Sequence, residues 1–287
     1  MEVILRRIRQ LDTGVRIAIL VAATAALLVA TMVQPPIHQP ASYHRFADHR
    51  GWFGIANFFD VASSLGFLAT GVMGLAFLLS GKSRRGARFC DLRERWPYVV
   101  VFAGFVLTCL GSIYYHLDPN NKTLVWDRLP MTLIFTGLLA AVVCERISVR
   151  GGLVLEGLLM PIGLWTVLYW RAGDAHGSGD LRFYLLTQLL PIFGIPLIMA
   201  FFLPRYTSNK NLTLVLGFYV IAKICELWDR QIYAAGHFLS GHTWKHIFSA
   251  IAAYYLVRML KTRKVLLRPH TTILVENPPS PMPLSSV

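Results

Sequence analysis

Residues 55–79 read IANFFDVASSLGFLATGVMGLAFLL, a run of 25 residues with Asp60 as its one ionisable side chain. A helix needs roughly 20 predominantly apolar residues to cross a bilayer core, and this run supplies them. Working outward, the same pattern recurs at 16–33, 98–116, 129–144, 153–170, 183–203, 212–227 and 242–260. Backbone groups in hydrocarbon must be satisfied within the segment, so each run is expected to be helical. The expected fold class is therefore all-α, a polytopic membrane protein built as a single helical domain. Composition agrees. The 287 residues are 55% hydrophobic and 15% charged, against about 25% charged in soluble domains, and the mean hydropathy is +0.51. Such a chain is neither a soluble enzyme, nor disordered, nor a small disulfide-stapled secreted domain. Its four cysteines, Cys90, Cys109, Cys144 and Cys225, are far apart and three lie in apolar runs, so they read as small buried hydrophobes.

The net charge of +13 would suggest nucleic acid in a soluble chain. Here the positions of the charges give another reason. With a cytoplasmic N-terminus, 19 of the 28 Lys and Arg residues fall on the cytoplasmic side and seven on the other, with Lys223 and Lys245 inside spans. That asymmetry puts both termini in the cytoplasm and points to anionic lipid rather than nucleic acid as the partner. The first span follows Arg6, Arg7 and Arg9 and could be a cleaved signal sequence; its length favours a retained helix. Three regions result: an N-terminal segment with an extra transmembrane helix at 1–35, a membrane domain at 46–262, and a Pro/Ser-rich tail at 265–287 expected to be disordered.

Ionisable groups inside membrane spans are costly and suggest function. The third span ends in Ser112 and His116, four apart and on one helix face. Asp127 precedes the fourth span, and the eighth opens with His242 and His246, again four apart. The topology brings all five to one membrane depth near the non-cytoplasmic surface. Three imidazoles leave the fourth tetrahedral position of a zinc ion open to solvent, and zinc lowers the pKa of a bound water to about 7. Asp127 could then carry the proton to a leaving group, and the Ser112 hydroxyl could hydrogen-bond an oxyanion or orient Asp127. As a set this describes metal-assisted hydrolysis of a carbonyl substrate arriving from the lipid. Plainer readings stand beside it: Asp127 as a helix N-cap with Pro130 in the first turn, Ser112 as a packing residue, and each histidine as an interfacial side chain.

These residues resemble a known family. Ser112 and His116, a following Asp127 and a terminal His242/His246 pair in a seven-helix membrane core look like the alkaline ceramidases, in the hydrolase superfamily that includes adiponectin-type receptors. The stretches GSIYYHLDPNN and VWDRLPM within 111–131, KICELWDRQ at 223–231 and SGHTWKH at 240–246 are especially similar to bacterial members. The resemblance runs from about residue 46 to 260 and leaves the first helix and the tail outside. It implies a seven-helix hydrolase-type core, zinc on His116, His242 and His246, Asp127 as proton acceptor and Ser112 as oxyanion stabiliser. It also implies a ceramide-like membrane lipid substrate, cleaved at its amide into a fatty acid and a sphingoid base, and a bacterial inner membrane with the site facing the periplasm.

One departure concerns calcium. Animal members carry an acid-rich loop before the first core helix, where this chain has Asp48, His49, Arg50, Gly51 and Trp52, with Asn57 in place of a further acid. One carboxylate beside an arginine is a poor site for a hard cation, which speaks against Ca2+. Asp60 is an extra charge without an explanation. Lys223 and Glu226 form an i, i+3 pair read as a structural salt bridge, with Asp229 on the same span, while a place lining the cavity or behind a histidine ligand stays open. Glu156 reads as structural, His237 as a loop residue and not a ligand, and Tyr115, Trp126 and Trp244 as part of an aromatic belt. Two other functions remain: a non-catalytic zinc-containing lipid receptor, and a haem-binding electron carrier, which an odd histidine count at one surface suits poorly. The oligomeric state and acyl-chain preference are not legible in the sequence.

Overall fold

The computed structural model describes residues 7–84 and 88–266. Helices stand at all eight expected places: α1 (Thr13–Met32), α2 (Phe58–Leu79), α3 (Arg95–Leu117), α4 (Asn121–Arg146), α5 (Val149–Asp174), α6 (Arg182–Phe201), α7 (Asn209–Leu227) and, after a short α8 (Asp229–Gly236), α9 (Gly241–Thr262). Six of them are long and apolar enough to cross a membrane, and α7 with α8 makes a seventh if that pair, bent by 78°, is one span. The protein is thus an all-helical, polytopic membrane protein. Helix α9 is outside that set by composition, since it carries His242, Lys245 and His246 in its first turns, yet its 22 residues extend roughly 33 Å. The tail expected to be disordered from residue 265 begins with Val265 bridged to Tyr206 and Leu266 N–H bonded to the Arg205 carbonyl; residues 267–287 lie outside the described residues.

The order of packing is α7 on α9, α9 on α2, α2 on α3, α3 on α4, and α4 on both α5 and α6, with α1 against α6. Phe67, Phe102, Phe105, Leu139, Ile195 and Leu256 fill the centre. Large apolar side chains such as Leu65, Val72, Leu107, Leu158 and Val220 point outward instead, as lipid-facing surface requires. Consecutive α6 and α7 make no comparable contact, and residues of both, Ile195 and Val215 among them, line a cavity together with α4 and α9.

Arginines close one end of the bundle. The last carbonyls of α6 lack helical partners, and they receive Arg9 at Ala200 (2.8 Å), Arg16 at Phe201 (3.0 Å) and Arg146 at Phe202 (2.7 Å). Nearby, Arg263 pairs with Glu145 between the rings of Phe89 and Tyr206, each centred 4.2 Å away.

At the opposite end the sequence reading needs correction. Helix α4 begins eight residues before the expected Leu129, because Asn120 forms a capping box: its side chain accepts from the backbone N–H groups of Lys122 (2.9 Å) and Thr123 (3.1 Å) while Thr123 caps Asn120 in return. Residues 118–120 alone separate α3 from α4. Asp127 is therefore not an N-cap. It lies in the second turn, with Pro130 inside the helix.

Candidate metal centre

Two glycines bring the site elements together. Gly111 of α3 lies so close to α4 that a Cβ there would stand 1.9 Å from the Trp126 carbonyl oxygen. That carbonyl is the one Pro130 cannot bond, having no N–H to offer four residues on, so the gap in the α4 ladder is where the neighbouring backbone nests. Gly241 repeats the device on the other side, where a Cβ would lie 2.2 Å from the Cys225 carbonyl of α7. Ser240 caps α9 by accepting from Thr243 N–H at 3.1 Å. His116 in the last turn of α3 then meets His242 and His246 in the first two turns of α9.

The three imidazoles are buried, with centroids 4.9, 5.0 and 5.1 Å apart. One ligand nitrogen from each lies within 4.8 Å of the others. Among the described residues, both nitrogens of His116 and Nε2 of His242 have no hydrogen-bond partner. His246 is oriented from behind, where Nδ1 lies 3.2 Å from the Asp60 carbonyl and 3.0 Å from the Ser63 hydroxyl. A carbonyl can only accept, so Nδ1 carries the proton and Nε2 is left with its lone pair facing the cluster. Orphaned buried nitrogens on two imidazoles, with a third imidazole offering a nitrogen within 4.8 Å of them, are the donor set of a borderline metal such as zinc, so the residues fit the ion. The buried trio can hold a metal.

Ser112 and Asp127 flank it. Ser112 stands beside the Asp127 carboxylate, and its oxygen lies 3.0 Å from that of Ser64. All five residues singled out in the sequence therefore meet at one end of the bundle. Asp127, Lys245 and His246 head an apolar cavity of about 110 Å³ that continues past Phe105, Ile195, Val215 and Leu256. Along α9, Lys245 to Leu256 corresponds to a depth of roughly 16 Å.

Several residues here were missed or left unexplained by the sequence. Asp60 is buried, and it joins α2 to α9 twice: its carbonyl faces His246 and its carboxylate accepts from the Thr243 hydroxyl at 2.6 Å. Asn57 donates to the His116 carbonyl at 2.8 Å. Asp229 accepts from the backbone N–H of His242 (2.8 Å) and of Ala47 (2.9 Å), tying α9 to the segment 37–50. That segment is a strap over the trio. Phe46 packs on His116 and His242 with centroids 4.8 Å away, and Asp48 is clasped by Arg50 at 2.6 Å. Burial pushes the Asp48 carboxyl up, but hydrogen bonds and charge from Arg50 outweigh it and hold the group below the usual carboxylate range. Tyr115 is not a belt residue; it is buried with its hydroxyl 3.0 Å from His44 Nδ1, while Trp126 is exposed. Lys223 pairs with Glu226 as read, and Lys245 joins them. His237 ends α8, apart from the trio. The four cysteines are free, and Cys90 is exposed.

Fold and site together define a multi-pass membrane protein with a buried three-histidine centre at the head of an apolar cavity. The sequence matches the ceramidase family over residues 50–274, a span that includes Ser112, His116, Asp127, His242 and His246. The chain belongs to the ceramidase family. A WAT1-related protein of Arabidopsis thaliana is 34% identical over 86 residues, 28% of this chain and 23% of that protein, so the chain spans about a quarter of that relative's length. No solved structure matches.

Proposed function

We propose that the protein is a zinc-dependent intramembrane amidase that cleaves ceramide-like N-acyl lipids into a fatty acid and a sphingoid base. The observation that carries this reading is the set of orphaned nitrogens on His116 and His242 facing His246, beside Asp127 and Ser112, at the head of an apolar cavity. The lipid enters through the seam between α6 and α7, its acyl chain lying along the cavity and its amide reaching the polar head. Held by the three histidines, zinc would polarise the carbonyl and acidify water. Asp127 takes the proton of the attacking water as the new C–O bond forms, and returns it to the amine nitrogen as the C–N bond breaks. Ser112 donates to the oxygen that gains charge between these events, and Asp60 keeps His246 in the tautomer that can ligate. Phe46 and the strap cover the trio from the other side and limit water to what the reaction uses.

A haem carrier fits less well. The three rings are tilted 62–75° to one another at centroid distances near 5 Å, which leaves no space for a macrocycle between two of them. Zinc and iron content of detergent-purified protein, followed by turnover of a long-chain ceramide, tests the reading. About one zinc per chain with turnover that falls at least a hundredfold in Asp127→Asn, metal retained, is the expected result. Zinc without turnover on any N-acyl lipid would favour the receptor reading, and folded protein without metal would end the hydrolase argument.

A further inference from the structure

The chemistry above makes no use of Lys245, although it shares the cavity head with Asp127 and His246. Its side chain is 13% exposed and its ammonium donates to Glu226 Oε1 at 2.7 Å. Glu226 also pairs with Lys223, and the Tyr43 hydroxyl of the strap reaches it at 3.5 Å. One carboxylate is thus shared by two ammonium groups, so the trio carries a net positive charge. Burying Lys245 against an acid that the half-exposed Lys223 already pairs is a poor way to stabilise a fold, because a hydrophobic replacement of similar volume often does as well or better, and ionisable groups kept within a membrane domain mark sites of function. An ammonium has three N–H donors. Among the described residues Glu226 is the acceptor of one, and the ammonium stands at the head of a cavity whose walls are mostly apolar, Phe105, Val215 and Leu256 among them, with Thr108, Asp127, Tyr219 and Ser249 as their polar members.

We propose that Lys245 reads the headgroup. Its free N–H groups hydrogen-bond an oxygen that the substrate carries on its amine half, a few bonds from the amide. The site then selects N-acyl lipids with such an oxygen, a hydroxyl or a carboxylate, over plain fatty amides. This inference rests on the hydrolase reading for its substrate class, and Lys245 acts as a specificity residue.

Three probes separate the cases: N-palmitoyl sphingosine, which carries hydroxyls; N-palmitoyl glycine, which carries a carboxylate; and N-octadecyl palmitamide, which has neither. For the wild-type protein, kcat/KM should favour one of the oxygen-bearing lipids over the plain amide by at least about tenfold, the scale of a hydrogen bond to a charged group. In Lys245→Met the ratio should collapse to within about twofold through a rise in KM for the favoured lipid. Lys245→Arg should restore the preference. A residue that acted only through packing would move all three lipids alike. The lipid that wins identifies the oxygen, and Lys245→Gln, which keeps a neutral donor, should retain a hydroxyl preference and lose a carboxylate preference. Absence of any preference in the wild type, or an unchanged ratio in folded, zinc-loaded Lys245→Met, would overturn the proposal. Displacement of a fluorescent N-acyl lipid by the same probes reads Lys245 without turnover, so failure to hydrolyse anything would count against the hydrolase reading and leave this one separately testable.

Discussion

Replacing Gly111 with alanine adds one methyl group where two helix backbones touch. The new Cβ would lie 1.9 Å from the Trp126 carbonyl oxygen, 2.5 Å from its carbon and 3.0 Å from the Asp127 nitrogen, whereas ordinary van der Waals contact begins at 3.4 Å. All three atoms are backbone, so no side chain can swing aside. Relief requires α3 and α4 to part by about 1.5 Å at this point, the difference between 1.9 and 3.4 Å. Overpacking of this kind typically costs about 1–3 kcal/mol. The functional cost should be larger, because the separation opens between Ser112 and His116 on one helix and Asp127 on the other. A misplacement of about 1 Å in a catalytic constellation can cost on the order of a hundredfold in rate. Gly217 of α7 is the control, since a Cβ there meets nothing within 4 Å and alanine should add up to about 1 kcal/mol of helix propensity. Thermal unfolding in detergent, zinc content and ceramide turnover would be measured on both variants. The midpoint should fall for Gly111→Ala and hold or rise for Gly217→Ala, with turnover lost at least a hundredfold in the first alone. A Gly111→Ala protein that unfolds with the wild type and turns over normally would refute the argument that this contact sets the site.

Asp229→Ala removes the shared anchor of Ala47 and His242, so zinc affinity should fall by roughly tenfold in competition with a chromogenic chelator; an unchanged affinity would make the anchor irrelevant to the metal. Phe46→Ala uncovers His116 and His242, and loss of zinc to excess chelator should accelerate severalfold, whereas equal rates would mean that the strap is not the barrier. Removing zinc should abolish turnover and lower the unfolding midpoint, since a ligand at a thousand times its Kd contributes about 4 kcal/mol; re-addition should restore both. Arg50 lowers the Asp48 pKa, so the clasp's stabilisation is fully present above the unfolded carboxylate value of about 3.9 and is lost as pH falls through the lower folded value. Protection of segment 37–50 from pepsin should accordingly persist down to about pH 4 in the wild type and be weak throughout in Asp48→Asn; loss of protection already near pH 6 would exclude the clasp as its cause.

The apolar runs located every long helix, because a bilayer demands length and hydrophobicity that sequence displays directly. The start of α4 was not legible in the same way. It depends on a cap at Asn120 that holds a polar opening, Asn121 to Thr123, in helical form, and hydropathy is blind to such a start. The i, i+4 pairs Ser112/His116 and His242/His246 could be read from helix periodicity alone, and so could their common depth. What periodicity cannot express is backbone chemistry across elements. Asp60 looked like a stray charge because its main contribution is a carbonyl behind His246, and the role of Asp229 stayed open because its partners are two backbone N–H groups. The strap was invisible for a related reason: its hold depends on Phe46 meeting two rings supplied by helices far away in sequence. Lys245 was counted only as a lysine within a span, since its place at the cavity head appears once α4, α7 and α9 are set side by side.

The open seam between α6 and α7 follows from the solvent this fold lives in. In water, two apolar helix faces left apart would close on each other, because each square ångström of apolar surface removed from water is worth about 25 cal/mol. In a bilayer that force is absent, since lipid chains are as apolar as the side chains they replace. A lateral opening therefore costs little, provided something other than hydrophobic collapse fixes the walls. Here the walls are fixed at both ends by polar contacts. At one end Arg9, Arg16 and Arg146 hold the last carbonyls of α6; at the other, Asp229 ties the sharp α7–α8 bend to α9 and the strap. Between them the seam is lined by side chains that a lipid chain can contact as readily as a neighbouring helix could. The same logic places the polar groups. A charge or orphaned imidazole facing lipid would be expensive, whereas one inside the bundle can be paired, as Lys245 is with Glu226, or can join a group able to hold a metal, as the three histidines do. On the proposed reading, an amphiphile entering through such a seam would be sorted by polarity along its length, chain beside Ile195 and Val215, oxygen and nitrogen beside Lys245 and Asp127, and its amide would be brought to the three histidines by the same partition that keeps the cavity walls apolar.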